Sequence, residues 1–403
     1  MLTVDCTRRY LLKDGKLFPY LADTAWTMVQ RLSREEIISY LDFRCRQGFN
    51  AVQVSAISEL DGIHTPNREG RLPFINGNVR RPDHKYFDLI RFTADACEER
   101  GMVLVLLPYW GDKFNQKWGI GPEIFTPDNT SCYSRYLARV IGRRENVIWM
   151  LGGDRPIETE THREIIDETA EGLRDGEEIR HLMTYHPCGE ASSVMYLRDR
   201  EYIDFHSVQS GHSFGGFKSE KMVARTLCRG GKPCIDAECF YEDFPLDFNA
   251  EWNYRFGPQD IRRRIYKNML AGAAGHTYGH QSVWCFRECS DNEYLYDWKS
   301  ALDRPMANQM RYVNKFFALA DITEMKPAAS VCGTSLAYGE ENAAAYLESA
   351  EPGFIYFKKH MSFSELLWFN PENGKILETG GFSGQRFTAV SPFGHDALLL
   401  MLK

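Results

Sequence analysis

The chain has 403 residues, a net charge of −7 and a hydrophobic fraction of 43%. An acidic protein lacks the basic surface that neutralises a phosphate backbone, so we expect no nucleic-acid partner. A hydrophobic fraction of this size supports a folded core and excludes an extended disordered chain. The length accommodates one α/β barrel of typical size followed by a smaller second domain.

The cysteines and the first residues bear on the cellular compartment. The 11 cysteines are scattered without CxxC or zinc-like spacing, which is typical of reduced thiols. The opening segment, MLTVDCTRRYLLKDGK, places charges where a signal peptide requires an apolar core, and no apolar run reaches membrane-spanning length. We therefore expect a cytoplasmic protein with no membrane partner. Its oligomeric state is left open.

Short apolar runs alternate with helical patterns between residues 10 and 280, which indicates repeated βα units and a parallel sheet. Ser33, with Glu36 three residues later, forms a capping box that starts the first long helix. Helices are predicted at residues 33–47, 82–100, 129–143, 160–174, 219–229, 260–271 and 305–320. Eight strands are predicted at residues 18–22, 50–54, 102–107, 147–154, 182–185, 205–209, 233–236 and 275–278.

The pattern changes at Lys326 and Pro327, after which only short apolar or alternating runs remain. Gly- and Pro-containing turns at residues 351–353 and 370–374 separate several of them, which is typical of a small antiparallel domain. Strands are predicted at 330–332, 343–347, 354–357, 365–369, 386–389 and 397–402. The sequence therefore predicts an α/β fold, with a (β/α)8 barrel over residues 1–325 and a β-sandwich over residues 326–403.

Two of the predicted barrel strands end in an acid: VIWMLGGD ends at Asp154, and KPCIDAE ends at Glu238. Barrel enzymes carry their active sites at the carboxyl ends of the strands, and two carboxyl groups facing each other there suit glycoside hydrolysis. A helix cap or a salt bridge is the structural alternative for either acid. Asp236 falls within its strand, where the barrel interior is the alternative role, and solvation is the alternative for Glu242 and Asp243.

Aromatic and polar side chains follow the same strand ends. Trp and Tyr rings pack against the C–H faces of sugars, although core packing is an ordinary alternative for each of them, and polar groups bind the hydroxyls. The candidates for substrate binding are Asp23, Trp26, Gln53, Tyr109, Trp110, His186, Gln209, His212, Tyr278 and Trp284.

Histidines near strand ends, His186, His206 and His212, leave a zinc hydrolase as an alternative. The HxH pair expected on the first strand of such enzymes is absent, because that strand ends LADTAW. Gly152 and Gly153 lack the lysine and the glycine spacing of phosphate-binding loops. We therefore predict neither a metal nor another cofactor.

Several motifs together resemble the apiosidase-like glycoside hydrolases of family 140 and their relatives. These motifs are LADTAW, the Pro66-Asn67 loop, PYWG, VIWMLGGD and DAE at residues 236–238. The segments LLWFNPENG and FTAVSPFGHDALLLML resemble the small β domain that accompanies this barrel and is described as the collagen-binding domain of collagenases. The resemblance covers nearly the whole chain.

The resemblance implies a retaining mechanism, with Asp154 as acid/base and Glu238 as nucleophile. Family members of known activity remove apiose from the pectic polymer rhamnogalacturonan II. Those enzymes are usually exported, whereas this chain shows no signal peptide. The strand-four motif also has Gly-Asp where most related barrel hydrolases have Asn-Glu, so another residue, such as Gln53 or His186, would have to contact the 2-hydroxyl of the sugar.

We predict from these observations a retaining, exo-acting glycoside hydrolase for plant-cell-wall-derived glycosides. The second hypothesis is a carbohydrate-binding or scaffold protein that kept the barrel without catalysis, since barrels host many functions. Collagen binding would not suit a cytoplasmic protein, so packing against the barrel is the expected role of the C-terminal domain.

Overall fold

Three short antiparallel strands open the chain: β1 (Leu2–Val4), β2 (Leu11–Lys13) and β3 (Lys16–Leu17). The structure is a computed structural model that describes residues 1–329 and 333–403, without the side chains of residues 216 and 217. The strand predicted at residues 330–332 lies outside the described residues. No pattern in the sequence indicates the N-terminal sheet, because its strands are too short to show a period.

The eight predicted barrel strands are present and parallel, in the spatial order five, four, three, two, one, eight, seven, six. A two-residue strand pairs antiparallel with the sixth. Nearly every residue in these strands is buried, which explains why they are apolar runs rather than alternating patterns. The strands are β4 (Tyr20–Thr24), β5 (Ala51–Ser55), β6 (Val103–Leu107), β7 (Val147–Gly152), β8 (Leu182–His186), β9 (Ala191–Ser192), β10 (His206–Gln209), β11 (Cys234–Glu238) and β12 (Gly275–Tyr278).

The barrel closes between β8 and the segment of residues 204–207 at the start of β10, through both backbone and side-chain hydrogen bonds. The Asp204 N–H donates to the carbonyl of Met183 at 2.8 Å, and the Met183 N–H donates to the Asp204 carboxylate at 2.8 Å. The Ser207 hydroxyl donates to the carbonyl of Tyr185. These bonds join the two edges of the curled sheet and satisfy edge groups that would otherwise be left unpaired.

All seven predicted helices are present, and the first has the predicted capping box between Ser33 and Glu36. Some starts differ from the prediction by two or three residues. Thr126, three residues before Asn129, caps the helix that spans residues 127–141, and Pro127 occupies its first turn. None of the helices in the described ranges is long and apolar enough to span a membrane. The helices are α1 (Met28–Arg31), α2 (Arg34–Arg46), α3 (His84–Glu98), α4 (Pro127–Ile141), α5 (Glu160–Gly176), α6 (Val194–Leu197), α7 (Ser219–Gly230), α8 (Pro258–Leu270), α9 (Trp298–Ala301) and α10 (Pro305–Leu319).

The C-terminal segment forms a six-stranded antiparallel sheet and a two-stranded sheet, with an apolar core of their buried side chains. This arrangement confirms the predicted antiparallel β domain. The sequence did not predict the strand over residues 334–338. It also did not predict the two edge strands of the larger sheet, which are short and mostly exposed. The strands are β13 (Lys326–Pro327), β14 (Thr334–Tyr338), β15 (Asn342–Leu347), β16 (Gly353–Phe363), β17 (Glu365–Phe369), β18 (Ile376–Thr379), β19 (Phe382–Ala389) and β20 (Ala397–Leu402).

One face of the six-stranded sheet contributes to the apolar core of the C-terminal domain, and the opposite face packs against helices α8 and α10 of the barrel. The rings of Tyr266 and Tyr346 lie 5.4 Å apart, and those of Phe316 and Phe369 lie 5.5 Å apart. Side chains on both faces of the sheet are therefore buried, and one face belongs to the core of the barrel.

A buried ion pair fixes this packing. Arg262 donates to both carboxylate oxygens of Asp396, at 2.9 and 2.7 Å, and the Tyr346 hydroxyl donates to the same carboxylate at 2.8 Å. Both charged side chains are almost fully excluded from solvent. Asp396 depends on this pair, because its buried carboxylate has no other arginine or lysine partner among the described residues, whereas Arg262 also pairs with Glu372 at 3.0 Å.

We expect Arg262→Met to lower the free energy of unfolding by about 3 to 5 kcal/mol, since it leaves Asp396 buried without its cation. Lys403→Met is the matched control, because Lys403 pairs with Glu341 on the exposed surface, and such pairs contribute about 1 kcal/mol or less. Chemical denaturation of the three proteins measures the difference. Equal stabilities of the two variants would contradict the role assigned to the buried pair.

Candidate active site

A cavity of about 760 Å³ opens at the carboxyl ends of the barrel strands. Its walls come from strand ends and from the loops that follow them, and eight of the lining side chains are aromatic. They are Trp26, Glu59, Trp110, Trp118, Asp154, Cys188, Gly189, Glu190, Gln209, Gly211, His212, Ser213, Glu238, Tyr241, Phe244, Phe248, Gln281, Trp284, Glu293 and Tyr294.

The two glycines after β7 bring Asp154 into this cavity. Gly152 and Gly153 have φ values of 86° and 118°, and Asp154 itself has a φ of 55°. A Cβ atom on Gly152 would lie 2.5 Å from the carbonyl oxygen of His186, and one on Gly153 would lie 2.7 Å from the amide nitrogen of Gly111. Only glycine combines these backbone angles with such close approach. The position of Asp154 in the cavity therefore requires the two glycines that precede it.

The carboxylate of Asp154 receives three N–H donors. Trp118 Nε1 and Arg155 Nη1 lie 2.8 and 3.0 Å from Oδ2, and Gln209 Nε2 lies 3.0 Å from Oδ1. Burial, followed by the nearby charge of Glu238, raises the pKa of Asp154 above its ordinary value, although Arg155 and Trp118 oppose this rise. The protonated form of Asp154 is thus favoured relative to an exposed aspartate.

Glu238 has the opposite character. His212 Nε2 lies 3.1 Å from its Oε1, and His186 Nε2 lies 3.2 Å from its Oε2. Burial would raise the pKa of Glu238, but the two imidazoles outweigh burial and lower this pKa to about 2. The hydroxyl of Tyr241 also contacts the carboxylate and accepts a hydrogen bond from Trp26 Nε1 at 3.0 Å. Glu238 is therefore held in its ionised form.

His186 connects the two acids. The backbone N–H of Asp154 donates to its Nδ1 at 3.2 Å, so in the neutral imidazole the proton is on Nε2, the atom that faces Glu238. The ring packs edge-on against Trp26 at 5.2 Å, which restricts its orientation. One side chain therefore positions the backbone of the first acid and favours the charge of the second.

The predicted acids, Asp154 and Glu238, lie in one cavity with their proton affinities shifted in opposite directions. A protonated and an ionised carboxyl group that share a site can act as general acid and as nucleophile or base. Five of the predicted substrate-binding residues also line the cavity, and His186 lies behind the two acids. These five are Trp26, Trp110, Gln209, His212 and Trp284.

The structure does not bring Asp23 and Tyr278 into the cavity. Asp23 is fully buried and accepts hydrogen bonds from Tyr40 and Arg44 of α2, behind the strand. The Tyr278 hydroxyl donates to Glu242 at 2.7 Å, also within the protein interior. These side chains hold the helical layer against the barrel.

Gln53 and Tyr109 likewise use their polar atoms inside the fold. Gln53 accepts from the Tyr20 hydroxyl at 2.8 Å and donates to the carbonyl of Ala237 at 2.9 Å. The Tyr109 hydroxyl lies 2.5 Å from Thr169 Oγ1. Gln53 is therefore not available for the sugar contact considered for it, and Gln209, which touches Asp154, has the better position.

The interpretation of Glu242 and Asp243 as solvated acids is wrong, because both are buried. Glu242 accepts from the Tyr278 hydroxyl, and Asp243 lies 3.0 Å from His280 Nε2 in an ion-paired cluster. Asp236 is also buried and accepts from Ser210 and Asn268, as its position within the strand suggested.

Several lining residues were not among the predicted site residues, and all of them lie on loops. Trp118 follows β6 by eleven residues and is 61% exposed, yet its indole N–H reaches Asp154. Glu59 lies in the long loop after β5. The length of this loop is the feature of the sequence that could have indicated a functional residue there. Tyr241, Phe244 and Phe248 follow β11 in a cluster of aromatic residues.

Comparison with known proteins identifies the family and the fold of the barrel. A family described as the apiosidase-like catalytic domain matches residues 6–324. A glycoside hydrolase family 5 structure from Bacteroides vulgatus ATCC 8482 superposes with a TM-score of 0.89 and 27% identity, over 100% of this chain and 93% of that one. Another structure, named glycoside hydrolase, has a TM-score of 0.89 and 24% identity, over 100% of this chain and 96% of that chain.

An endo-β-1,4-mannanase from Thermotoga petrophila shares the fold at 14% identity, with a TM-score of 0.53 over 96% of this chain and 98% of that one. No curated protein matches the sequence significantly.

We expect Gly153→Ala to destabilise the protein by about 1 to 3 kcal/mol, because its φ is strained for alanine and its Cβ meets the Gly111 backbone. Gly231→Ala is the control: Gly231 has a positive φ of 60° at the end of α7, but nothing lies within 4 Å of an added Cβ. Denaturant unfolding should show a larger loss for Gly153→Ala. Equal losses would mean that the contact with Gly111 carries no constraint.

Proposed function

The chain belongs to the apiosidase-like family of glycoside hydrolases, and from this premise we propose that it is a retaining, exo-acting glycosidase. Its substrates are short plant-cell-wall-derived oligosaccharides or glycosides, from which it releases one sugar of the apiose type or another pentose or hexose. The observation that carries the proposal is the pair Asp154 and Glu238, which share one cavity with opposite shifts in pKa.

The reaction has two steps. Asp154 gives its proton to the glycosidic oxygen while Glu238 attacks the anomeric carbon, so the bond to the leaving group breaks and an ester bond to Glu238 forms. The ionised Asp154 then takes a proton from water, whose oxygen attacks the same carbon and releases Glu238 as a carboxylate. Two displacements at one carbon retain its configuration.

The hydrogen bonds at Asp154 leave a place for the transferred proton. A carboxylate has about four lone-pair positions. Trp118 and Arg155 donate to Oδ2, and Gln209 donates to Oδ1. One position therefore remains on Oδ1, and this is the oxygen that we assign as the proton donor.

The cavity walls favour a neutral sugar. Five carboxyl side chains line the cavity, and none of its described lining residues is Lys or Arg. A uronic acid would bring another negative charge close to ionised Glu238 without a cation to compensate it. Polar side chains in the lining, such as those of Gln209, His212 and Gln281, suit the hydroxyl groups of a sugar, which donate and accept.

Exo action is supported by the size of the site. A cavity of about 760 Å³ is in the range of small-ligand sites, and eight of its lining side chains are aromatic.

We also propose a reducing compartment such as the cytoplasm. The ten cysteines that the structure describes are all free thiols, and several of them are exposed.

The first test is sugar release from aryl pentosides, aryl hexosides and apiose-bearing pectic oligosaccharides. We expect the wild-type protein to cleave one of them with retention of anomeric configuration, which NMR of the released sugar measures. We expect Glu238→Gln to lose several orders of magnitude in kcat. Asp154→Asn should lose about 10² to 10⁴ in rate on poor leaving groups and much less on activated aryl glycosides, which need little acid assistance. Undiminished turnover by Glu238→Gln would refute the assignment.

Wild type that binds an oligosaccharide of this panel but cleaves none of them would instead favour the carbohydrate-binding protein, and the two acids would lose their catalytic meaning.

A second prediction concerns charge. Where a pentoside or hexoside is cleaved, the matching uronide, which differs only by a carboxylate, should be cleaved at least about 100-fold less efficiently in kcat/KM, because the cavity offers no cation to that carboxylate. Calorimetry compares the binding of the same two ligands to Asp154→Asn, where the uronide should bind more weakly. Cleavage of the uronide that equals or exceeds that of the neutral glycoside would contradict the proposal that the substrate is a neutral sugar.

A further inference from the structure

A third carboxyl group lies beside the proposed acid/base and is connected to it by one arginine. Arg155 Nη1 lies 3.0 Å from Oδ2 of Asp154, and its Nη2 lies 3.3 Å from Oε1 of Glu59. The Arg155 side chain is fully buried, and its guanidinium lies 4.6 Å from the ring of Trp118. The three groups therefore form a chain, Glu59–Arg155–Asp154, along one wall of the cavity.

We propose that Glu59 is a positioning residue that, by sharing Arg155 with Asp154, keeps the proton on Asp154. The inference rests on the proposed function, since it assigns Asp154 as the acid that must be protonated. Glu59 needs no contact with the reacting atoms for this role.

The physical argument starts from Arg155. A guanidinium in contact with a carboxyl group favours its ionised form, and in a buried site this effect is weakly screened. Arg155 alone would therefore remove the proton that Asp154 must donate. A carboxylate on the other nitrogen of the same guanidinium opposes this pull, because its negative charge acts on Asp154 with the opposite sign.

The other charged groups around the chain do not replace Glu59. Asp154 faces Glu238, which is itself held ionised, and His186, which accepts the N–H of Asp154. On the far side, Asp112 is paired with Lys113 at 3.0 Å, and Lys113 also contacts the backbone carbonyl of Glu59. Asp112 also acts on Arg155 and Glu59 through its charge, but Lys113 offsets that charge. Glu59 is the carboxylate that contacts Arg155 on the side opposite Asp154.

Glu59 is also able to change its charge near neutral pH. Burial raises the pKa of Glu59 to about 7, although Arg155 opposes burial. Glu59 is therefore mostly protonated below about pH 7 and opposes Arg155 as it ionises at and above this pH, where its charge strengthens the hold of Asp154 on its proton. In this upper pH range, activity is expected to persist further than it would with Arg155 unbalanced.

The test compares the pH dependence of kcat/KM for wild type and Glu59→Gln on the glycoside that wild type cleaves. The basic limb reports loss of the acid's proton, and Glu59→Gln should move it toward lower pH by about one unit. The acidic limb, which reports Glu238, should stay in place. The loss above neutral pH should be larger for poor leaving groups than for activated aryl glycosides.

Two further variants serve as controls. Glu59→Asp keeps the charge and should restore most of the basic limb. Glu158→Gln removes one negative charge from the neighbouring loop, where Glu158 pairs with Lys117 at 2.7 Å outside the cavity, and its profile should overlay that of wild type. A Glu59→Gln profile that is lowered equally at every pH would overturn the inference and leave Glu59 a structural or binding group.

A second measurement needs no turnover. Carbon-13 NMR of the aspartate carboxyl groups, with the Asp154 signal assigned from its absence in Asp154→Asn, follows the titration of Asp154 directly. A lower pKa of Asp154 in Glu59→Gln supports the inference even if no glycoside in the panel is cleaved, whereas an unchanged pKa overturns it. The fate of the inference is thereby separated from that of the proposed function.

Discussion

Two carboxyl groups in one poorly solvated cavity must hold opposite protonation states, and the rest of the site follows from this constraint. Ionised Glu238 is stabilised by the imidazoles of His186 and His212. Its charge, together with burial, raises the pKa of Asp154. Each acid thus helps to set the state of the other, which a pair of isolated, exposed carboxylates would not do.

The fold supplies the rigidity that this electrostatic arrangement needs. Gln209 and Glu238 are register partners in adjacent parallel strands, so the amide that contacts Asp154 is fixed relative to the second acid. The positive φ angles at Gly152 and Gly153 turn the chain after β7. The C-terminal sheet extends the core on the outer side of the barrel, where Arg262 of α8 binds Asp396 of the C-terminal domain. Sites held by strands in this way are more precise than sites carried by loops alone.

The eight barrel strands, the seven long helices and the location of both acids at strand ends could be predicted from the sequence, because buried strands leave continuous apolar runs and capping boxes mark helix starts. Side-chain direction could not. Asp23 lies one residue before the end of β4, yet its side chain points to α2, since successive strand residues face opposite sides. Trp118 could not be predicted either, because the path of its loop depends on contacts distant in sequence, such as that with Asp154.

The charge of the cavity connects substrate choice with mechanism. Under the proposed mechanism, a negative ligand group near Glu238 would be repelled, and it would also raise the pKa of Asp154 further and slow the proposed second step, in which Asp154 must be ionised to activate water. Arg155 contacts Asp154 from the protein side and also pairs there with Glu59. A cavity with five carboxyl groups and aromatic walls therefore suits the uncharged sugar that we propose as its substrate.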